Sequence, residues 1–153
     1  MLDEFYEIKT KDLMTPWWNT PFIEETAGWK EFLTMLSVSA HAWVVSDTKS
    51  MKVVGVVTEH DMMRCIIPEE RKKAKIFGPS RPDILHIDSV VRDIMTYNPV
   101  MCSPEDSMED ILKKHSTFNI RRLPVVDENK RLVGEITLQL LIKTLRYRFM
   151  IQE

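Results

Sequence analysis

The chain has 153 residues, with 21 basic and 23 acidic side chains and a formal net charge of -2. With 44% hydrophobic and 29% charged residues, it has the composition of a folded globular chain and not of a disordered one. The balance of charge lacks the basic excess usual in nucleic-acid-binding domains, so no nucleic-acid partner is expected. The longest uncharged stretch, 32–46, is too short and too polar for a membrane span, which needs about 20 mostly apolar residues. The opening MLDEFYEIKTKD carries acids early and no apolar run, so it does not read as a secretory signal. Cys65 and Cys102 are single cysteines without a CxxC pair or a disulfide framework. A reducing, cytoplasmic location is the simplest expectation.

The sequence repeats itself. KDLMT at 11–15 recurs as RDIMT at 92–96, and WVVSD at 43–47 is paralleled by PVVDE at 124–128. VVGVVT at 53–58 then matches LVGEIT at 132–137, with the offset shortened by two residues. A first hairpin two residues longer, SDTKSMK against DENKR, accounts for the change. The elements follow in the same order in each copy. An extended piece follows the Met-Thr dipeptide. The first copy then predicts a helix over 26–37, strands over 43–45 and 52–57, and a helix from Thr58. The second predicts a helix over 104–117, strands over 124–126 and 131–136, and a helix from Thr137. Ser103 as cap, Pro104 at the first helical position and the acids Glu105 and Asp106 mark the start of that helix. The units are drawn at 8–67 and 91–148, joined by a polar linker over 68–90 that contains Gly78, Pro79 and Pro82. The fold class is α/β (α+β), β-α-β-β-α twice over. A 60-residue unit alone buries only about 60% of its surface. The two copies are therefore expected to pack together about a pseudo-two-fold axis.

The duplicated pattern, Met-Thr, helix, PVVD, then G-hh-T-xx-D, resembles a tandem pair of CBS (cystathionine β-synthase) domains, the arrangement called a Bateman module. The resemblance covers about residues 8–147. It implies a regulatory module that binds an adenine nucleotide (AMP, ADP or ATP) or a relative such as S-adenosylmethionine. It also implies a homodimer and action on a separate effector protein. The strongest segment is GVVTEHD at 55–61. By resemblance, Gly55 is the glycine of the last strand, Thr58 contacts phosphate and Asp61 accepts from the ribose hydroxyls. A hydroxyl and free N–H groups at a helix start suit an anion, and a carboxylate one turn on can accept two charge-assisted bonds. Thr-x-x-Asp is also a capping pattern, in which Asp61 reaches back to Thr58 without any ligand.

The second copy keeps Gly134 and Thr137 but has Leu140 where the first has Asp61. One strong site and one weakened site are therefore expected. By resemblance, Arg121 or Arg122 meets the phosphate of a nucleotide held by the companion domain; a solvated pair at a strand start is the plainer alternative. The first copy has only Ala40 and His41 there. Trp17 or Trp18 is expected either to stack on the base or to fill an interface. Glu59 argues against a highly charged phosphate tail. The ten methionines read as core filler. His41, His60, His86 and His115 read as surface or capping residues without metal-ligand spacing. RKKAK at 71–75 follows Glu69 and Glu70 and reads as a solvated face. With no Gly-rich loop, GxSxG elbow or metal pair, the chain is read as a non-enzyme with no catalytic residues and no metal. The rival reading is a dimeric interaction scaffold with weak or no ligand binding.

Overall fold

The computed structural model describes residues 2–66 and 89–151. The expected linker lies outside them apart from Ser89 and Val90, as do RKKAK at 71–75 and His86. The chain opens with two short helices that the sequence pattern did not predict, α1 (Leu2–Glu7) and α2 (Thr10–Leu13). Strand β1 (Thr15–Pro16), a 3-10 turn (Trp17–Asn19) and β2 (Phe22–Glu24) follow. Then come α3 (Trp29–Val38), β3 (His41–Val45), β4 (Val53–Thr58) and α4 (Glu59–Ile66). The second copy contributes a 3-10 turn (Val91–Asp93), β5 (Thr96–Tyr97), α5 (Met108–Phe118), β6 (Arg122–Val126), β7 (Leu132–Thr137) and α6 (Leu138–Ile151). Predicted strands and observed strands agree within two residues, and the fold is mixed α and β.

The repeat is visible in the register. β3 and β4 pair antiparallel with His41 opposite Thr58 and Val44 opposite Gly55. β6 and β7 pair with Arg122 opposite Thr137 and Val125 opposite Gly134. Each pairing slips at the same place, between Val44 and Val45 and between Val125 and Val126. The hairpin turns are held by Asp47, which accepts from the N–H groups of Lys49 and Ser50, and by Asp127, which accepts from those of Asn129 and Arg131. Short carboxylates that bond their own backbone are favoured in such turns.

The Met-Thr segments do not pair with the strands of their own copy. β1 pairs antiparallel with β7, giving a sheet of order β1-β7-β6. β5 pairs with β4 at the edge of a sheet of order β2-β3-β4-β5. In space, one compact unit therefore joins the residues up to Thr20 with those from Pro99 onward, and the other runs from Pro21 to Asn98. Each has its own core. In the Pro21–Asn98 unit, Phe32, Val44, Val57 and Cys65 pack with Val91, Ile94 and Met95. In the other, Phe5 packs with Met108, Ile111, Leu123, Ile136 and Leu141. Fully burying such a side chain contributes about 1.5–3 kcal/mol. The buried phenyl ring of Phe5 therefore explains why a helix as short as α1 is held.

This exchange also corrects the predicted helix starts. α5 begins at Met108, not at Pro104, and its cap is Ser107, not Ser103. Ser107 Oγ accepts from the Asp110 N–H at 3.2 Å, while Asp110 Oδ2 accepts from the Ser107 N–H at 3.2 Å. Upstream, the carbonyls of Pro104 and Asp106 accept from the N–H groups of Lys11 and Thr10, at 3.0 and 2.8 Å, instead of from a helical turn. The first copy does the same. The carbonyls of Glu25 and Ala27 accept from Arg92 and Val91, both at 2.9 Å, and α3 starts at Trp29 and not at Thr26. Among the described residues, no helix is long and apolar enough to cross a membrane.

Candidate functional site

Each unit ends a hairpin at a threonine that begins a helix. In the Pro21–Asn98 unit, β4 delivers Thr58, and the Glu59 N–H donates to the Ala40 carbonyl at 3.1 Å. Asp61, one turn into α4, is only 6% exposed. Its Oδ2 accepts from the Thr58 N–H at 2.8 Å and from the Thr58 hydroxyl at 3.3 Å. Its Oδ1 lies 3.8 Å from Arg64 Nη1. Burial raises the Asp61 carboxyl above its ordinary range; the bonds from Thr58, then the charges of Arg64 and His60, pull the other way. The reach-back expected of a cap is therefore present. It leaves Oδ1 without the two donors that hold Oδ2.

Gly55 has a packing role in this structure. A methyl group there would stand 2.5 Å from Met95 Sδ and 2.8 Å from the Thr96 carbonyl oxygen. The glycine is what lets β5 lie against β4. β5 in turn places Tyr97 in the same unit as Thr58 and Asp61. Tyr97 is 58% exposed and its hydroxyl donates to the Arg92 carbonyl at 3.0 Å. Asn98 follows in the left-handed region at φ 51 and donates its N–H to the Val54 carbonyl at 3.2 Å. These two residues belong to the same unit as Asp61, opposite Gly55 and Val54 of β4, and the matching Met-Thr dipeptides are the signal that finds them once the strand exchange is known.

The other unit holds the remaining candidates. β7 delivers Thr137, whose Oγ1 accepts from the Leu140 N–H at 3.1 Å, a plain side-chain cap. Leu140 offers no carboxylate. The Leu138 N–H donates to the Arg121 carbonyl at 2.8 Å, the counterpart of the Glu59–Ala40 bond. Arg121 and Arg122 thus occupy the positions of Ala40 and His41, as the repeat implies. Arg121 is exposed, Arg122 is half-buried, and among the described residues neither makes an ion pair. Trp17 and Trp18 form an edge-to-face pair at 6.0 Å, 43% and 68% exposed, on the 3-10 turn that follows β1. The structure groups them with Thr137 and not with Thr58 and Asp61.

The histidines correct one expectation. His41 and His115 are buried, not on the surface. His60 is exposed. Among the described residues, no group of three or more His, Cys, Asp or Glu side chains is placed to hold a metal ion. Cys65 and Cys102 are buried free thiols, and burial pushes that of Cys102 up to about 12.

Solved structures share this architecture, and curated relatives match the chain in sequence. A homoserine O-acetyltransferase from Methanosphaera stadtmanae is 29% identical over 131 residues, 84% of this chain. The chain spans only 22% of that protein's length. The crystal structure of CBSX2 in complex with AMP, a protein of Arabidopsis thaliana, superposes with a TM-score of 0.70 at 24% identity, covering 95% of this chain and 98% of that one. A CBS domain pair in complex with methylthioadenosine and S-adenosyl-L-methionine gives a TM-score of 0.64 at 21% identity, over 93% and 98% of the two chains. The CBS domain pattern matches residues 11–68 and 91–147, and the chain belongs to the CBS domain family as a tandem pair.

Proposed function

We propose that the chain is a regulatory sensor that binds an adenine nucleotide (AMP, ADP or ATP), with one strong site at Thr58 and Asp61 and a weak or vacant one at Thr137. The observation that carries this reading is the contrast between the two helix starts. Asp61 is a buried carboxylate fixed through one oxygen, and the other oxygen can accept from a ribose. At the matching place Leu140 has nothing to accept with. Solved structures of the same fold that hold AMP, or methylthioadenosine and S-adenosyl-L-methionine, support an adenosyl ligand. In this reading Arg121 or Arg122 meets phosphate by the bidentate geometry guanidinium provides. Exposed Trp17 and Trp18 sit in the unit of Thr137, so the ring face they offer a base belongs to the weak site. The module works as a homodimer in the cytoplasm and passes its signal to a separate effector protein, without catalysis of its own.

Isothermal titration of the full chain with AMP, ADP, ATP and S-adenosylmethionine tests this. One binding event per chain is expected, and the preferred ligand names what is sensed. Asp61→Ala should weaken it by ten-fold or more, from one or two lost charge-assisted bonds of about 1.5–3 kcal/mol each. Thr137→Ala should leave it in place. Unchanged affinity in folded Asp61→Ala removes Asp61 from the site. No heat with any ligand favours the second reading, an interaction scaffold. One observation speaks for that reading: Ile142, Tyr147, Phe149, Met150 and Ile151 are exposed apolar side chains on α6.

A further inference from the structure

His115 sits on the face of α5 that also buries Met108 and Ile111, and it is 6% exposed. Counted from the helix caps Ser107 and Gly28, it holds the place that Leu36 holds on α3. A leucine fills such a position without any polar group to satisfy. The histidine carries one that is not satisfied, since its buried Nε2 has no hydrogen-bond partner among the described residues. Its Nδ1 lies 2.6 Å from the carbonyl oxygen of Ile120. A carbonyl can only accept, so Nδ1 carries the hydrogen and Nε2 is the bare nitrogen.

That bond closes a turn. Asn119 leaves the helix in the left-handed region at φ 50, and its N–H donates to the His115 carbonyl. The Ile120 N–H donates to the same carbonyl at 3.2 Å. His115 therefore grips Ile120 by main chain and by ring at once. The next two residues are Arg121 and Arg122. The Arg121 carbonyl is held by the Leu138 N–H, and Arg122 stands in register with Thr137. The backbone under both guanidinium groups is thus pinned on each side, while the groups themselves are without ion pairs among the described residues. The first copy, with Leu36 and Ala40, has neither the grip nor the charge.

We propose that His115 is a positioning residue for a phosphate-binding arginine pair: its Nδ1–H fixes the Ile120 turn so that Arg121 and Arg122 are presented ready for an anion. Ordering a rotamer-rich side chain costs binding free energy, and fixing its backbone in advance removes part of that cost. The inference rests on the reading that this pair meets nucleotide phosphate.

Affinities of the full chain for AMP and for adenosine separate the two ideas. Wild type should prefer AMP. His115→Leu should weaken AMP on the order of five- to ten-fold and leave adenosine unchanged. His115→Gln, whose amide can again donate to Ile120, should recover most of the loss. A wild type that binds both ligands equally overturns the phosphate reading and the inference with it. A preference for AMP that is undiminished in His115→Leu, or an equal loss for both ligands, overturns the role of His115 alone. The nitrogen chemical shifts of the wild-type ring give an answer that needs no variant to fold. The Nδ1–H form is expected, and the Nε2–H form overturns the grip on Ile120.

Discussion

Gly134 should be the least replaceable glycine among the described residues. A methyl group at this position would stand 2.5 Å from the Thr15 carbonyl oxygen and 2.7 Å from Met14 Sδ. Thr15 is held opposite Glu135, and Pro16 opposite Gly134, so the oxygen belongs to a paired backbone and cannot swing aside. β1 must separate from β7. Overpacking of this kind costs about 1–3 kcal/mol, and each ladder bond given up costs a further ~0.5–1.5 kcal/mol. Gly134→Ala should therefore lower the unfolding free energy by about 3 kcal/mol. Gly55→Ala is the internal control. There the nearest atom is Met95 Sδ at 2.5 Å, the flexible end of a side chain, and the backbone oxygen of Thr96 is further off at 2.8 Å. About 2 kcal/mol is expected. Urea unfolding followed by far-UV circular dichroism gives both numbers, and amide exchange in β1 and β7 shows whether the strand has come away. A loss below about 0.5 kcal/mol for Gly134→Ala, or a larger loss for Gly55→Ala, would refute the reasoning.

Two further outcomes follow from the side-chain geometry. Burial raises the Asp61 carboxyl above its ordinary 3.8, so the folded state holds that proton more tightly than the unfolded one. The contribution to stability is then fully present below pH 3.8 and is lost as pH rises through the raised value. Asp61→Asn keeps an oxygen for the Thr58 N–H without a charge to bury. It should be more stable than wild type at pH 7 and converge on it in acid, as thermal unfolding across pH will show; a variant less stable at pH 7 sinks the argument. Ser107→Ala removes the α5 cap and should cost about 0.5–2 kcal/mol in chemical denaturation. Ser103→Ala, four residues upstream of Ser107 in a turn outside the helix, should cost less, and the reverse order would restore the helix start first expected.

Much of this fold was legible in one dimension. The paired KDLMT and RDIMT, the β-branched runs and the shortened second hairpin located every strand of both hairpins. The starts of α3 and α5 were not legible, because they are decided by carbonyls at residues 25, 27, 104 and 106 that bond to segments far away in sequence. Neither the Ser-Pro-Glu-Asp signal nor propensity carries that information. α1 escaped notice for a related reason: the other buried residues of the cluster that holds Phe5, among them Met108, Ile111, Leu123 and Leu141, all come from the second copy. In the candidate site, Thr58 and Asp61 were readable from their spacing, because a cap and a carboxylate one turn on are local. Trp17 and Trp18 were not placed by the sequence, since their unit is fixed by the pairing of β1 with β7. The pairing of Tyr97 with Gly55 went unremarked for the same reason. His115 looked like any helical histidine until its burial and its bond to Ile120 were known.

The exchange of the Met-Thr strands makes neither half of the sequence self-sufficient. A fragment ending at residue 66 carries β4 without β5, and one starting at residue 89 carries β7 without β1. Each would display a bare row of N–H and C=O groups on a strand that is paired on both sides in the whole chain, and such an edge accepts any matching strand. The natural match for each fragment is the other. Two separately expressed pieces therefore have the makings of a split-protein reporter, soluble and ordered together and sticky apart. A stalled or truncated product of synthesis would present the same open template to full-length neighbours.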